Sequence, residues 1–208
     1  MATTKRGSKD TAAAADTRDR LVEACRTCLR TEGIAGVSAR AIARHGDLNQ
    51  ALIFYHFGSV EGLLQATARE DSTRRAALYA DRLADVDSLA RLIAVGREIH
   101  DEETKRGSTT VLTQLLAGSL SSDELRESVL AGMDPWIDLV EQALDRVIAG
   151  TPLAQAVPTA DIAFAISSLF LGMEFMTGLH DDDARVERLF TSLDAVGAFV
   201  DALLPRPS

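Results

Sequence analysis

Between residues 38 and 57 the chain sets out side chains whose chemistry suits a nucleic acid. Asn49 and Gln50 carry amides that bond bidentately to the N6 and N7 edge of adenine, and the methyl of Ala51 is small enough to meet a thymine methyl. Ser38, Arg40, Arg44, Tyr55 and His56 bring N–H or O–H donors suited to phosphate oxygens, contacts that position a protein without reading bases. Other reactive residues fit no catalytic or metal pattern. Cys25 and Cys28 form a C-x-x-C, but positions 21, 25 and 28 share one helical face and no second pair exists for zinc, so they read as buried core thiols. His45, His100 and His180 have no ligand spacing among themselves, and neither a metal nor a cofactor is expected. The chain has no Gly-rich phosphate loop, nucleophile elbow or helical H-E-x-x-H, which argues against an enzyme.

Positioning the residues of that run requires helices, and helical periodicity with clear caps runs through the chain. After Asp16 or Thr17 as N-cap, Leu21, Val22, Cys25, Cys28 and Leu29 recur at helical spacing, and Gly33 ends the run. Ser38 caps a short helix, Gly46-Asp47-Leu48 make a tight turn, and Asn49 opens a second short helix that stops near Gly58. Medium, short and short helices with a three-residue turn are the layout of a helix-turn-helix. Ile42, Leu48 and Ile53 supply its small core, and Asn49, Gln50 and Ala51 fall at the end of the recognition helix that meets base edges. Ser59 caps a long helix. Further helices are expected over residues 88–105 and 109–120, from the capping-box pair Ser121 and Glu124 to about Ala131, and from Pro135 after a break at Gly132-Asp134. Thr159 opens the penultimate helix, and three aspartates at 181–183 favour the start of the last. Strand-like alternation is nowhere sustained, so the fold is all-α with about nine helices. Three segments are expected: a flexible arm over residues 1–16, a helix-turn-helix domain over 17–64 and a helical effector-binding and dimerisation domain over 65–208.

Charge is distributed to match. The 208 residues carry a formal net charge of -9, yet residues 1–60 sum to +3 and the remainder to -12. A basic head on an acidic body suggests a polyanion partner for the head and discourages non-specific sticking elsewhere. Apolar stretches are interrupted before the ~20 residues of a membrane span, and the N-terminus lacks the apolar core of a secretory signal. No membrane partner and a cytoplasmic location are expected.

The run IARHGDLNQALIFYHFGSVEGLL, and above all Tyr55-His56-Phe57 followed by a capped helix, resembles the DNA-binding head of the TetR-type transcriptional regulators. The resemblance covers residues 17–64, less than a quarter of the chain. It implies an all-α homodimer, usually a repressor, whose C-terminal domain binds a small molecule. Under it, Ser38, Arg40, Tyr55 and His56 map onto phosphate-holding positions and Asn49, Gln50 and Ala51 onto base-meeting ones. Two positions depart from the pattern. Asp47 stands where Gly is common and puts a carboxylate near DNA, and Val60 replaces a frequent phosphate-binding Lys. Lys5, Arg6, Lys9 or Arg18 are expected to compensate from the arm.

The helix from Thr159 is apolar on two faces and must be covered twice. Ile162, Ile166, Leu169, Phe170, Met173 and Met176 form one stripe, and Phe164, Leu171, Phe175 and Leu179 the other. Between them run Ala163, Ser167, Glu174 and Gly178. With Phe190, Leu193 and Val200 of the last helix, the second stripe fits an intersubunit four-helix bundle and hence a homodimer on a palindromic operator. Met133, Trp136, Phe170 and Met173 suit a pocket for an apolar or aromatic effector. Glu174, inside an apolar helix, must find a partner, solvent or a proton. The family resemblance adds His100, Thr110 and Gln114 as polar pocket candidates. The function expected is a sequence-specific DNA-binding regulator, a repressor relieved by a small-molecule effector. The alternatives are an architectural or activating DNA binder without ligand, and a ligand- or protein-binding dimer with a weakened head.

Overall fold

The computed structural model describes residues 4–177 and 184–203, with side chains from residue 14 onward. Among the described residues the regular structure is helical throughout. In chain order the helices are α1 (Thr4–Gly36), α2 (Ala39–Gly46), α3 (Ala51–Phe57), α4 (Val60–Ala84), α5 (Leu89–Arg106), α6 (Ser108–Ser119), α7 (Asp123–Ile148), α8 (Thr159–Thr177) and α9 (Ala184–Leu203), with a 3-10 turn at Pro152–Gln155 before α8. Several starts are set by local side-chain caps that satisfy otherwise unpaired N–H groups. Ser38 Oγ accepts from Ala41 N–H at 3.1 Å, Ser59 Oγ from Gly62 N–H at 2.9 Å and Ser88 Oγ from Arg91 N–H at 3.3 Å.

Three expectations about the elements are corrected. Helix α1 begins at Thr4, not after an arm ending at residue 16, and takes in Ala12 to Ala15, the strongest helix formers. Its regular geometry breaks at Gly33 (φ 68°), where the sequence places the end. The two helices expected on either side of Pro135 are one, α7, with Pro135 inside it. Its cap is Ser122, whose Oγ accepts from Leu125 N–H at 3.1 Å, while Ser121 instead donates back to Gly118 C=O at 3.4 Å. Gly178, Leu179, His180 and the aspartates at 181–183 lie outside the described residues, as do the side chains of Lys5, Arg6 and Lys9.

The chain divides into two compact units, Met1–Asp71 with Thr110–Leu130, and Ser72–Thr109 with Ala131–Ser208. In the first, Leu21, Val22, Cys25, Cys28 and Leu29 of α1 pack with Ile42, Ile53, Leu63, Leu115 and Leu125. Each fully buried Leu or Ile contributes roughly 1.5–3 kcal/mol of transfer free energy, so this core fixes the short helices α2 and α3, which would not persist alone. In the second, Tyr79, Leu83, Leu92, Val95, Ile99, Val140, Leu144 and Ala163 form the core, with Trp136, Ile162, Ile166 and Phe170 packed against it.

Helix α8 settles onto its own unit through a narrow seam. Ala163, Ser167, Met173 and Glu174 are its buried residues, while Leu169 and Met176, expected in the core stripe, are exposed. Small side chains allow the close approach, and they bring the bulky ones outward on both sides. By length and composition α8 could cross a membrane, with 19 residues and mean hydropathy 1.4. Glu174 within it is buried and tied to side chains of its own unit.

Candidate nucleic-acid interface and ligand cavity

In the first unit the turn between α2 and α3 decides where α3 points. Asp47 adopts the left-handed conformation (φ 49°, ψ 51°), and its N–H reaches back to Arg44 C=O at 3.5 Å while Leu48 N–H bonds Ala43 C=O at 2.9 Å. This closes α2 in the manner of a Schellman motif, usually built on glycine. Leu48 then tucks inward beside Gly46, where any Cβ would lie 2.8 Å from Leu48 Cδ1 and 2.9 Å from Ala24 Cβ. Asn49 Oδ1 accepts from Ala51 N–H at 2.9 Å and starts α3. Ile53 is fully buried beneath the helix, so the opposite face is held outward.

On that outward face Asn49, Gln50 and Ala51 are all exposed. Asn49 keeps its NH2 for a partner, since its carbonyl is engaged, while Gln50 has both ends of its amide at the surface. Tyr55 is 80% exposed at the far end of α3, with its ring 4.9 Å from that of His56 in an edge-to-face arrangement. Ser38 lies exposed at the start of α2, where its hydroxyl hydrogen can still donate, and Arg40 follows on the first turn. Arg44 is held by Glu32 at 2.5 Å. Arg18 does not belong to a free arm: it pairs with Glu70, and its guanidinium stacks 5.2 Å from the Phe57 ring centre. Behind α3, Gly62 is required by space, because a Cβ there would meet Phe57 C=O at 2.3 Å. The result is a rigid, short helix presenting amides, flanked at both ends by donors.

The same unit assembles a cluster that sequence spacing does not reveal. Cys28, Glu32 and His45 bring one potential ligand atom each to within 4.8 Å of one another. His45 Nε2 lies 2.5 Å from Glu32 Oε1, and Arg44 and His45 both hold the Glu32 carboxyl below the usual carboxylate range, His45 first. Burial pushes the Cys25 thiol up to about 11 and, as the largest cause, raises that of Cys28.

The second unit holds a cavity of about 200 Å³ whose lining includes Leu92, Ile99, Trp136, Phe170, Met173 and Phe190, and every side chain in its wall is apolar. Trp136, Phe170 and Met173 therefore stand where the sequence suggests. Met133, His100 and Glu174 do not line it, and Thr110 and Gln114 belong to the first unit, where Gln114 Oε1 accepts from Ile34 N–H at 2.7 Å. Glu174 accepts from His100 Nδ1 and Thr109 Oγ1, so its partners are internal. A second buried carboxylate, Glu103, accepts from Tyr79 OH at 2.6 Å and pairs with Arg75 Nε at 2.7 Å. Burial, then Glu103, raises the Tyr79 hydroxyl far above its ordinary range.

Of the residues expected at a subunit interface, Phe164 and Phe175 are exposed, and Leu171, Leu193 and Val200 are half-buried. Phe190 is not available for such a face. It is 4% exposed, its ring lies 5.9 Å from that of His100, and Arg97 stacks on it at 5.4 Å. The exposed apolar surface of α9 is instead Val196, Phe199 and Leu203.

Comparison with known proteins places the head. Residues 21–67 match the family described as bacterial regulatory proteins, tetR family. The HTH-type transcriptional repressor AcnR of Corynebacterium glutamicum is 32% identical over 66 residues, 32% of this chain and 35% of that protein. AcnR of Corynebacterium efficiens is 34% identical over 61 residues, 29% of this chain and 32% of that protein. These matches thus span about a third of the relatives' length. Among solved structures, the reduced form of NemR of E. coli has a TM-score of 0.67 at 17% identity, covering 92% of this chain and 100% of that one. A TetR transcriptional regulator of Legionella pneumophila has a TM-score of 0.69 at 18% identity, covering 86% and 96%. Such identities carry the fold over most of the chain, and the family match carries the head. The head, residues 21–67, is thus similar to the N-terminal domain of the tetR family of bacterial regulatory proteins.

Proposed function

We propose that the chain is a homodimeric, sequence-specific DNA-binding transcriptional regulator, a repressor released from its operator by a compact apolar molecule. The observation that carries this reading is α3, seven residues long, locked below by Ile53, with Asn49 and Gln50 exposed just before it and Ala51 exposed at its start. Those three residues meet base edges in the major groove. Ser38, Arg40, Arg44, Tyr55 and His56 hold phosphates on either side. Glutamine and alanine at these places read A·T pairs better than G·C pairs, through adenine N6/N7 and the thymine methyl.

The dimer forms through the uncovered apolar faces of α8 and α9, where Phe164, Phe175 and Phe199 are exposed. A two-fold axis there gives two heads and a palindromic site with half-sites about 34–36 Å apart. The effector site is the apolar cavity of the second unit. A charged or strongly polar ligand would lose its hydration without gaining a partner from those walls, which favours a hydrocarbon-like molecule. Its action is to bind better to the state that does not hold DNA, and it shifts the population by that difference alone. The cavity is what favours this reading over an architectural binder without ligand. Such a regulator works in the cytoplasm, beside the chromosome.

The test is selection of genomic fragments by the purified chain at near-physiological salt, followed by Gln50→Ala and Arg40→Ala. Enrichment of one palindrome is expected. Gln50→Ala should relax sequence preference at its position by roughly 1–3 kcal/mol, whereas Arg40→Ala should weaken all DNA about equally and flatten the salt dependence. Sequence-indifferent binding by the parent chain, or indifference to both substitutions, overturns the proposal.

A further inference from the structure

We infer that the first unit contains a Zn²⁺ site made of Cys28 Sγ, Glu32 and His45 Nε2, an ion clamp between α1 and the last turn of α2. Cys28 and Glu32 stand four residues apart, and therefore on one face of α1. His45 descends from α2 onto the same face, and the three potential ligand atoms lie within 4.8 Å of one another. Among the described residues no other trio of His, Cys, Asp and Glu gathers its ligand atoms in this way.

The donor set selects the ion. One thiolate, one imidazole and one carboxylate suit a borderline-soft, tetrahedral cation, and hard Mg²⁺ or Ca²⁺ would reject the sulfur. Ligand distances of roughly 2.0–2.3 Å put neighbouring donor atoms about 3.3–3.8 Å apart in a tetrahedron. Glu32 Oε1 and His45 Nε2, at 2.5 Å, have only to part, and the thiol has to draw in by about 1 Å. Thr31 Oγ1, 3.3 Å from His45 Nε2, borders the fourth position, which otherwise takes water.

Glu32 and His45 are tied to each other, while the Cys28 thiol meets the backbone at Ser38. Glu32 is used by His45 and Arg44, but neither contact employs the Cys28 thiol. Arg44 is the group an ion would displace, and with a side chain 61% exposed it can turn to water at little cost, as exposed ion pairs contribute little. The His45 and Glu32 side chains are 20% and 29% exposed, so the ion has a way in from solvent, while Cys28 closes the inner end. Binding releases the thiol proton to solvent and fixes the imidazole with its proton on Nδ1 and its lone pair on Nε2.

The full chain, reduced and freed of metal, is titrated with Zn²⁺ against a chelating indicator, and in parallel with Co²⁺ followed by absorption. One ion per chain is expected, with a thiolate-to-cobalt charge-transfer band in the near ultraviolet. Glu32→Gln and His45→Gln should each weaken Zn²⁺ binding by at least ~10-fold, the least that even outer-sphere partners of a metal usually cost. Cys28→Ser should abolish the band, and Cys25→Ser should leave band and affinity in place. Absence of the band in the folded parent chain overturns the inference. So does Zn²⁺ affinity unchanged in Glu32→Gln and His45→Gln, which decide the matter by themselves if Cys28→Ser does not fold.

Discussion

Asp47 carries two separable liabilities, and two substitutions distinguish them. The first is conformational, because a non-glycine residue at φ 49°, ψ 51° occupies the left-handed region. That region costs an L-residue roughly 1–2 kcal/mol, with Asp and Asn at the lower end because their short polar side chains bond locally. Asp47→Gly removes this cost but loosens the unfolded chain, which takes back about 0.4–1 kcal/mol. A net gain of no more than about 0.6 kcal/mol is expected, equivalent to a rise in Tm of at most roughly 2 °C for a chain of this size. The second liability is electrostatic. A carboxylate in the turn before the recognition helix repels the backbone it approaches. At about 6 Å in water one such pair costs about 0.7 kcal/mol, or about threefold in affinity. Asp47→Asn keeps the left-handed tolerance and removes the charge, so it should tighten DNA binding about threefold at low salt while leaving Tm nearly unchanged. Asp47→Gly should do both. Trp136, the one tryptophan, sits in the second unit, so its fluorescence does not report the head. Hydrogen exchange at the Leu48 amide, which bonds Ala43 C=O at 2.9 Å and closes this turn, does. A glycine variant that exchanges no more slowly at Leu48 refutes the strain argument. An asparagine variant with unchanged DNA affinity at low salt refutes the placement of Asp47 at the DNA.

Three further outcomes follow from the geometry. Phe199 is 66% exposed, and covering it at a two-fold interface counts twice, so Phe199→Glu should cost the dimer roughly 2–4 kcal/mol, or about 100-fold or more in dissociation constant. Sedimentation that still shows a dimer at micromolar concentration would remove α9 from the interface. Gly96 lines the cavity, and the nearest atom to a Cβ built there is Phe190 Cε1 at 3.9 Å. Gly96→Leu should therefore enter the cavity and weaken an apolar fluorescent probe by ~10-fold or more, read by its effect on Trp136 emission, whereas equal affinity would place the probe elsewhere. Burial holds the Cys25 thiol protonated up to about 11, so the folded chain binds a proton that the unfolded chain has released above the ordinary thiol range. That contribution is fully present below the ordinary value and is lost as pH rises through about 11. The urea midpoint should fall between about pH 8 and about pH 10.5, with a smaller fall in Cys25→Ala, and an identical fall in both would contradict the assignment.

What sequence discloses here follows the range of the interaction that decides each feature. Ser38 and Ser59 are legible as caps because a hydroxyl and an N–H three residues on are bound to meet once the helix forms. The break at Gly33 is legible because one residue's conformation makes it. Pro135 misleads for the converse reason. A proline inside a helix costs ~3 kcal/mol, and Gly132 and Asp134 beside it reinforce the expectation of a break. Yet Leu125 and Val129 are buried before it, Val140 and Leu144 after it, and this burial outweighs the local cost. Ala131, whose carbonyl loses its partner to Pro135, is exposed, so that carbonyl can turn to water.

Glu174 marks the boundary between these cases. That a carboxylate in an apolar helix needs partners is a statement about solvation, available from residue types alone. Which partners it takes is a statement about register. His100 on α5 and Thr109 on α6 are 74 and 65 residues away, and both reach the same carboxylate only because Ala163 and Ser167 let α8 sit close. The small residues serve this internal approach. They leave the bulky side chains Phe164, Leu169, Phe175 and Met176 on the outside. The exposed apolar face of α8 is thus a consequence of satisfying one buried carboxyl group. Enlarging Ala163 to leucine should separate Glu174 from its donors and destabilise the unit, even though the substitution is apolar for apolar.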